Sequence, residues 1–136
     1  MIKKCAIYTR TAIKDQDISA DLKAAETYIE TLPDTWIAKH YHDNGYSGLN
    51  LVRPSILRLL DDIRAGKIDA VVVTGIDRIS RNVADFCEFA AIMNEHNVQL
   101  ITLHHGLIEA SPAGTLLLGL LAAFAQYQDS LDREAA

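Results

Sequence analysis

The chain has 136 residues, about half of them hydrophobic, which suffices for one compact domain with a genuine core. A formal net charge of -5 argues against a free-standing nucleic-acid binder, which would carry a basic footprint over the whole domain. The two cysteines, Cys5 and Cys87, are far apart and outside any CxxC pattern, so neither a disulfide framework nor a zinc site is implied, and both read as reduced core thiols of a cytoplasmic protein. The first residues run straight into strand-like sequence rather than a secretory signal, and the most apolar stretch, residues 116–124, is too short to cross a bilayer, so no membrane partner is expected.

Residues 5–8 read as a short strand, and residues 18–32 carry apolar side chains at helical spacing until Pro33 stops them. Residues 36–41 read as a second strand and residues 55–65 as a helix ended by Gly66. Residues 70–73 are an unbroken apolar run, the mark of a strand covered on both faces. A helix over 83–95, a strand over 99–103 and a last helix from about 112, with Ser111 as cap and Pro112 at its first position, complete the alternation. The expected fold is α/β: a three-layer α/β/α domain over residues 1–136, with a mainly parallel four- to five-stranded sheet and a long C-terminal helix.

Ligands of such sheets bind outside the carboxyl ends of the strands. Arg10, Asp43, Arg53, Asp77, Arg78 and Arg81 are all expected there, following strands. Guanidinium forks match phosphate oxygens in a planar, bidentate way that lysine cannot, so arginines from three successive segments point to phosphoryl-transfer chemistry. Asp43, Asp69 and Asp77 offer an alternative as magnesium ligands, which the surrounding arginines oppose by placing cations where the metal would sit. The expectation is therefore no metal and no cofactor. The five histidines form no helical HxxxH pattern and are assigned no role. An unrelated flavodoxin-like enzyme is disfavoured because residues 8–15 contain no glycine for a phosphate loop.

Five ordered blocks carry a resemblance: AIYTR at 6–10, DNGYSGLNLVRP at 43–54, AGKIDAVVV at 65–73, IDRISRN at 76–82 and SPAGTLLLGLLAAFAQ at 111–126. Together they resemble the catalytic domain of serine recombinases, the resolvase and invertase family, and especially its large serine integrase branch. The resemblance implies a resolvase-like fold and site-specific DNA recombination through a 5'-phosphoserine intermediate, without metal or external energy. It implies that Arg10, Arg53, Arg78 and Arg81 bind phosphate and stabilise the transition state, and that Asp77 orients a guanidinium. Tyr8 and Asp69 also match family positions, Tyr8 as a residue that shapes the site. The implied partners are duplex DNA, held mainly by a C-terminal region beyond this chain, and further copies of the protein in a homodimer or homotetramer, with the last helix beginning the oligomer interface.

The departures are as informative. The family's nucleophilic serine stands two residues after the first arginine, and here that place is Ala12. A methyl group cannot attack phosphorus. Thr11 is off by one residue, which in an extended chain turns its hydroxyl to the opposite face. The glutamine typical of the following helix is Asp21, and Gln128 and Asp129 replace a glutamate and arginine on the last helix. The sequence thus predicts a recombinase domain disabled at its nucleophile. The alternative is a naturally degenerate domain acting as a non-catalytic DNA-binding, assembly or regulatory module.

Overall fold

The strand Ile2–Thr11 (β1) serves two cores at once, because successive side chains of a strand leave opposite faces. Cys5 and Ile7 join a cluster with Ala25, Ala70, Val72 and Ile101, while Ala6 and Tyr8 join a larger one on the other face. The computed structural model describes residues 2–11, 14–32, 35–46, 53–80, 83–103 and 106–108. Along them run the helix Ser19–Glu30 (α1), strand Thr35–Asn44 (β2), helix Pro54–Arg64 (α2), strand Ala70–Val73 (β3), a 3-10 turn Ile76–Arg78, helix Val83–Glu95 (α3), and strands Gln99–Thr102 (β4) and Gly106–Ile108 (β5).

The sheet order is β2-β1-β3-β4-β5, with β1 parallel to both its neighbours, β3 parallel to β4, and β5 antiparallel. From β1 the chain steps to β2 on one side, then crosses back to β3 on the other. Right-handed crossovers require the connecting helices to fall on opposite faces. Accordingly Leu22, Ala25 and Ile29 of α1 pack with the Cys5 and Ile7 cluster, and α2 and α3 cover the other face. Both of those helices do so with one stripe at spacing i, i+3, i+4, i+7: Ile56, Leu59, Leu60 and Ile63 on α2, and Phe86, Phe89, Ala90 and Met93 on α3. Pro54 occupies the first turn of α2, and Gly66 just beyond its end takes a left-handed φ of +74°, which lets the chain leave the helix without Cβ strain.

The expected three-layer architecture holds, with three adjustments. β1 and β2 are longer than residues 5–8 and 36–41 at both ends, since backbone pairing continues through polar residues such as Lys3, Thr9 and His42. The antiparallel β5 supplies the fifth strand of the four to five expected, from residues outside the expected strands. Cys87 is exposed on α3 rather than in the core, because the helix buries Phe86 and Phe89 on a different side. The last helix expected from about 112, including Ser111 and Pro112, lies outside the described residues.

Cys5 is buried, and that burial pushes its thiol up to about 11. A thiol reagent at pH 8 is therefore expected to modify Cys87 rapidly and Cys5 only after denaturation. Equal labelling rates for both in the native protein would contradict the packing of β1 against α1.

Candidate functional site

The strand order reverses between β1 and β3, so their connections lead to opposite faces, and sheets of this kind bind ligands at the carboxyl ends of the strands at such a point. Arg10 and Asp43 occupy that edge from within the strands rather than after them. They are register partners in the parallel pair of β1 and β2, one residue short of each strand's end. The 3-10 turn Ile76–Arg78 supplies the third side.

At this edge the arginines meet through one carbonyl. Arg10 Nε donates to the Arg78 carbonyl at 3.1 Å, and Arg53 Nη1 donates to the same oxygen at 3.3 Å. Arg10 Nη1 also donates to the Tyr46 carbonyl at 3.0 Å, and Arg53 Nη2 donates to the Ile79 carbonyl. Arg53 is 1% exposed and Arg10 7%. Such cations are tolerated inside only where their donors are engaged.

Behind Arg53 stands a carboxylate reached through a phenol. Arg53 Nη1 donates to the Tyr8 hydroxyl at 2.8 Å, and that hydroxyl donates to Asp43 Oδ2 at 2.7 Å. Asp43 in turn accepts the backbone N–H of Ser55 at 2.8 Å and of Ile56 at 3.0 Å, so it caps α2 from a neighbouring strand. The helix dipole favours an anion there. Burial pushes the Tyr8 phenol far above its usual range, with the Arg53 charge opposing and the hydrogen bond to Asp43 adding to the rise. Tyr8 thus remains a protonated bridge between Arg53 and Asp43.

Two residues gain a place that the sequence did not signal. Asn44 Oδ1 accepts the Asp15 N–H at 2.7 Å and the Thr11 hydroxyl at 3.3 Å, and Asn44 Nδ2 donates to Asp15 Oδ1 at 2.9 Å. The chain on either side of residues 12 and 13 is thereby pinned to the end of β2. Gly45 follows with φ +78°, its N–H donating to the Thr11 carbonyl at 2.8 Å, and a Cβ there would meet that of Lys14 at 3.2 Å. Only glycine suits this combination well.

The remaining candidates divide. Arg78 Nε pairs with Asp21 Oδ2 at 3.1 Å, which brings Asp21 to the edge as expected. Asp69 does not come with it. Its carboxylate accepts the Lys4 N–H at 2.8 Å, at the amino end of the sheet. Six residues of strand separate Lys4 from Arg10, about 20 Å at the usual rise. Asp43 and Asp69 consequently cannot share one magnesium ion, and among the described residues no group of three or more histidine, cysteine or acidic side chains is placed to hold a metal. Asp77 lies on the 3-10 turn by its backbone, and the guanidinium-orienting role of its carboxylate lies outside what is described. Ala12, Arg81, Gln128 and Asp129 are also outside the described residues. Thr11 is buried and its hydroxyl is engaged by Asn44, on the face opposite Tyr8 and Arg10.

The family model described as "Resolvase, N terminal domain" matches residues 5–136. The chain belongs to the resolvase family of serine recombinases. It is 34% identical over 106 residues to the transposon Tn501 resolvase of Pseudomonas aeruginosa, covering 76% of this chain and 55% of that one. A putative DNA recombinase of Bacillus subtilis (strain 168) is 28% identical over 132 residues, 95% of this chain and 26% of the relative. The chain thus spans about half the length of the transposon resolvase it matches, and less of the recombinase. Among solved structures, the N-terminal catalytic domain of TP901-1 integrase aligns with a TM-score of 0.76 at 31% identity, covering 96% of this chain and 99% of that one. A resolvase family site-specific recombinase from Streptococcus pneumoniae aligns with a TM-score of 0.70 at 26% identity, covering 98% and 92%.

Because the folded protein holds the Tyr8 phenol protonated while an unfolded tyrosine ionises near 10, Tyr8 favours the fold below about pH 10 and loses that contribution as pH rises above it. Tyr41, raised by burial and by its hydrogen bond to Asp62, acts in the same direction. Urea unfolding between pH 9 and 11 should show stability falling with pH, less steeply in Tyr8→Phe. Asp43→Ala should cost about 3 kcal/mol at neutral pH, since it uncaps α2 and removes the anion behind Arg53. An Asp43→Ala protein as stable as the parent would refute this arrangement.

Proposed function

We propose that this domain is the phosphodiester-binding catalytic core of a site-specific DNA recombinase, and that it is catalytically silent because position 12 is alanine. The observation that carries the reading is the convergence of Arg10 and Arg53 on the carbonyl of Arg78, at the edge where α/β sheets of this kind commonly bind ligands. In this reading Arg10, Arg78 and Arg81 meet the non-bridging phosphate oxygens, and Arg53 acts from behind by fixing the turn that presents Arg78. Asp77 orients one of these guanidinium groups. Duplex DNA is the substrate, with most affinity residing beyond residues 1–136, and further copies of the protein complete the exchange.

A serine at position 12 would form a bond from its Oγ to phosphorus as the bond from phosphorus to the 3'-oxygen breaks, with the hydroxyl proton passing in net terms to that 3'-oxygen. The products are a 5'-phosphoserine link and a free 3'-hydroxyl, and the energy of the diester is conserved for religation. Preorganised guanidinium charge stabilises the crowded phosphorane-like transition state. Alanine supplies no oxygen, and the Thr11 hydroxyl is turned to the other face.

The test places Ala12→Ser, the parent sequence and Thr11→Ala in the longer protein that carries its own DNA-binding region, with a nicked target site. Denaturing gels should show a covalent adduct with Ala12→Ser alone, unaffected by chelator because arginines supply the cationic charge. An adduct formed by the parent sequence and abolished by Thr11→Ala would overturn the silent reading. An inert Ala12→Ser protein would move the proposal to a non-catalytic assembly or regulatory module. Residues 1–136 alone should bind duplex weakly, and more weakly still as salt rises.

A further inference from the structure

Arg78 serves the edge in two directions. Its carbonyl receives Arg10 and Arg53, whereas its guanidinium is paired with Asp21 in the first turn of α1. The same Asp21 oxygen lies 3.4 Å from the Thr74 hydroxyl, which donates to it. A helix N-terminus, a hydroxyl donor and a guanidinium therefore all face this one carboxylate. The pair is nevertheless open to solvent, the Arg78 and Asp21 side chains being 31% and 28% exposed. A pair so placed is worth about 1 kcal/mol or less in water, little enough for an incoming phosphate to displace. Arg53, sealed at 1% exposure against backbone carbonyls, has no such freedom.

We propose that Asp21 is a built-in competitor for the DNA phosphate: its carboxylate occupies the Arg78 guanidinium while the site is empty and must give way when a phosphodiester binds. The proposal rests on the phosphate-binding reading of this edge. It gives the site a second state, in which Arg78 leaves Asp21 and the first turn of α1 loses its tie to the 3-10 turn. A carboxylate that merely oriented Arg78 toward substrate would act with the opposite sign, because its removal would weaken binding.

The experiment measures binding of a fluorescein-labelled duplex to the 136-residue chain by anisotropy across a salt series. Asp21→Asn is compared with Asp21→Gln, Arg78→Gln, the Asp21→Asn and Arg78→Gln double variant, and Asp61→Asn. The last makes the same charge change at a side chain 79% exposed on α2. Circular dichroism confirms that each variant is folded, and the two Asp21 substitutions guard against a defect peculiar to one of them. Asp21→Asn and Asp21→Gln should each tighten binding about two- to fivefold at low salt, well beyond Asp61→Asn. The slope of log K against log salt should steepen by up to about 0.9, because in the parent the released Asp21 carboxylate takes back a cation and offsets one of those freed from the DNA. The gain should vanish in the Arg78→Gln background.

An Asp21→Asn effect no larger than that of Asp61→Asn, weaker binding, or a gain that survives Arg78→Gln would overturn the competitor. If Arg78→Gln weakens the parent while neither Asp21 variant changes anything, the competitor falls and the phosphate site stands. If Arg78→Gln also leaves binding unchanged, the phosphate reading of Arg78 falls and the competitor with it.

Discussion

A guanidinium at 1% exposure is expensive to place, and the arrangement around Arg53 follows from meeting that cost. Removing a cation from water costs several kcal/mol unless its donors are engaged and an anion stands near. Here the acceptors are the carbonyls of Arg78 and Ile79 and the Tyr8 hydroxyl, and the anion is Asp43 beyond that hydroxyl. The chain of contacts joins the 3-10 turn to β1, β1 to β2, and β2 to the first turn of α2. Each link satisfies a group that would otherwise be buried without a partner. Loss of any member leaves the others exposed to that penalty, so the unit is expected to act cooperatively.

This brace explains how a small acidic domain can present converging cations. Arg10 docks on the same carbonyl as Arg53, so the backbone of Arg78 is held from two sides before any ligand arrives. On the other flank Asn44 and Gly45 tie the chain before and after residues 12 and 13 to the end of β2. The division of labour is physical: the sealed Arg53 fixes backbone, and the more exposed Arg78 has a side chain that a ligand can reach. In the proposed function this preorganisation places charge at the edge before a phosphate arrives.

Much of this was legible in the residues. Val71, Val72 and Val73 marked a doubly covered strand, the stripes of α2 and α3 gave their buried faces, and the ordered blocks with their arginines pointed to the edge where Arg10, Arg53 and Arg78 meet. The rest depended on contacts between distant segments. Asp43 lies eleven positions before Pro54, so nothing local marks it as the cap of α2. Asn44 is one polar residue at a strand end. β1 and β2 run on through lysines, threonines and histidines because pairing is made by backbone, which side-chain alternation does not report. Asp69 matched a family block, yet its position before β3 puts it at the wrong end of the sheet. The three residues of β5 are too few to show any period.

The central claim is that phosphate is received at the carboxyl edge of β1 and β2 and not elsewhere on the surface. A rival basic region exists at the opposite end, where Lys4, Lys39 and Lys67 line a cavity of about 290 Å³. Titrating isotopically labelled protein with a short DNA duplex, and following backbone and arginine Nε signals by nuclear magnetic resonance, separates the two directly. The account predicts that the Arg78 Nε signal moves first and furthest, together with the amides of Gly45 and Tyr46, while those of Lys4, Lys39 and Lys67 stay in place. Shifts centred on the three lysines, with Arg78 unmoved, would contradict it.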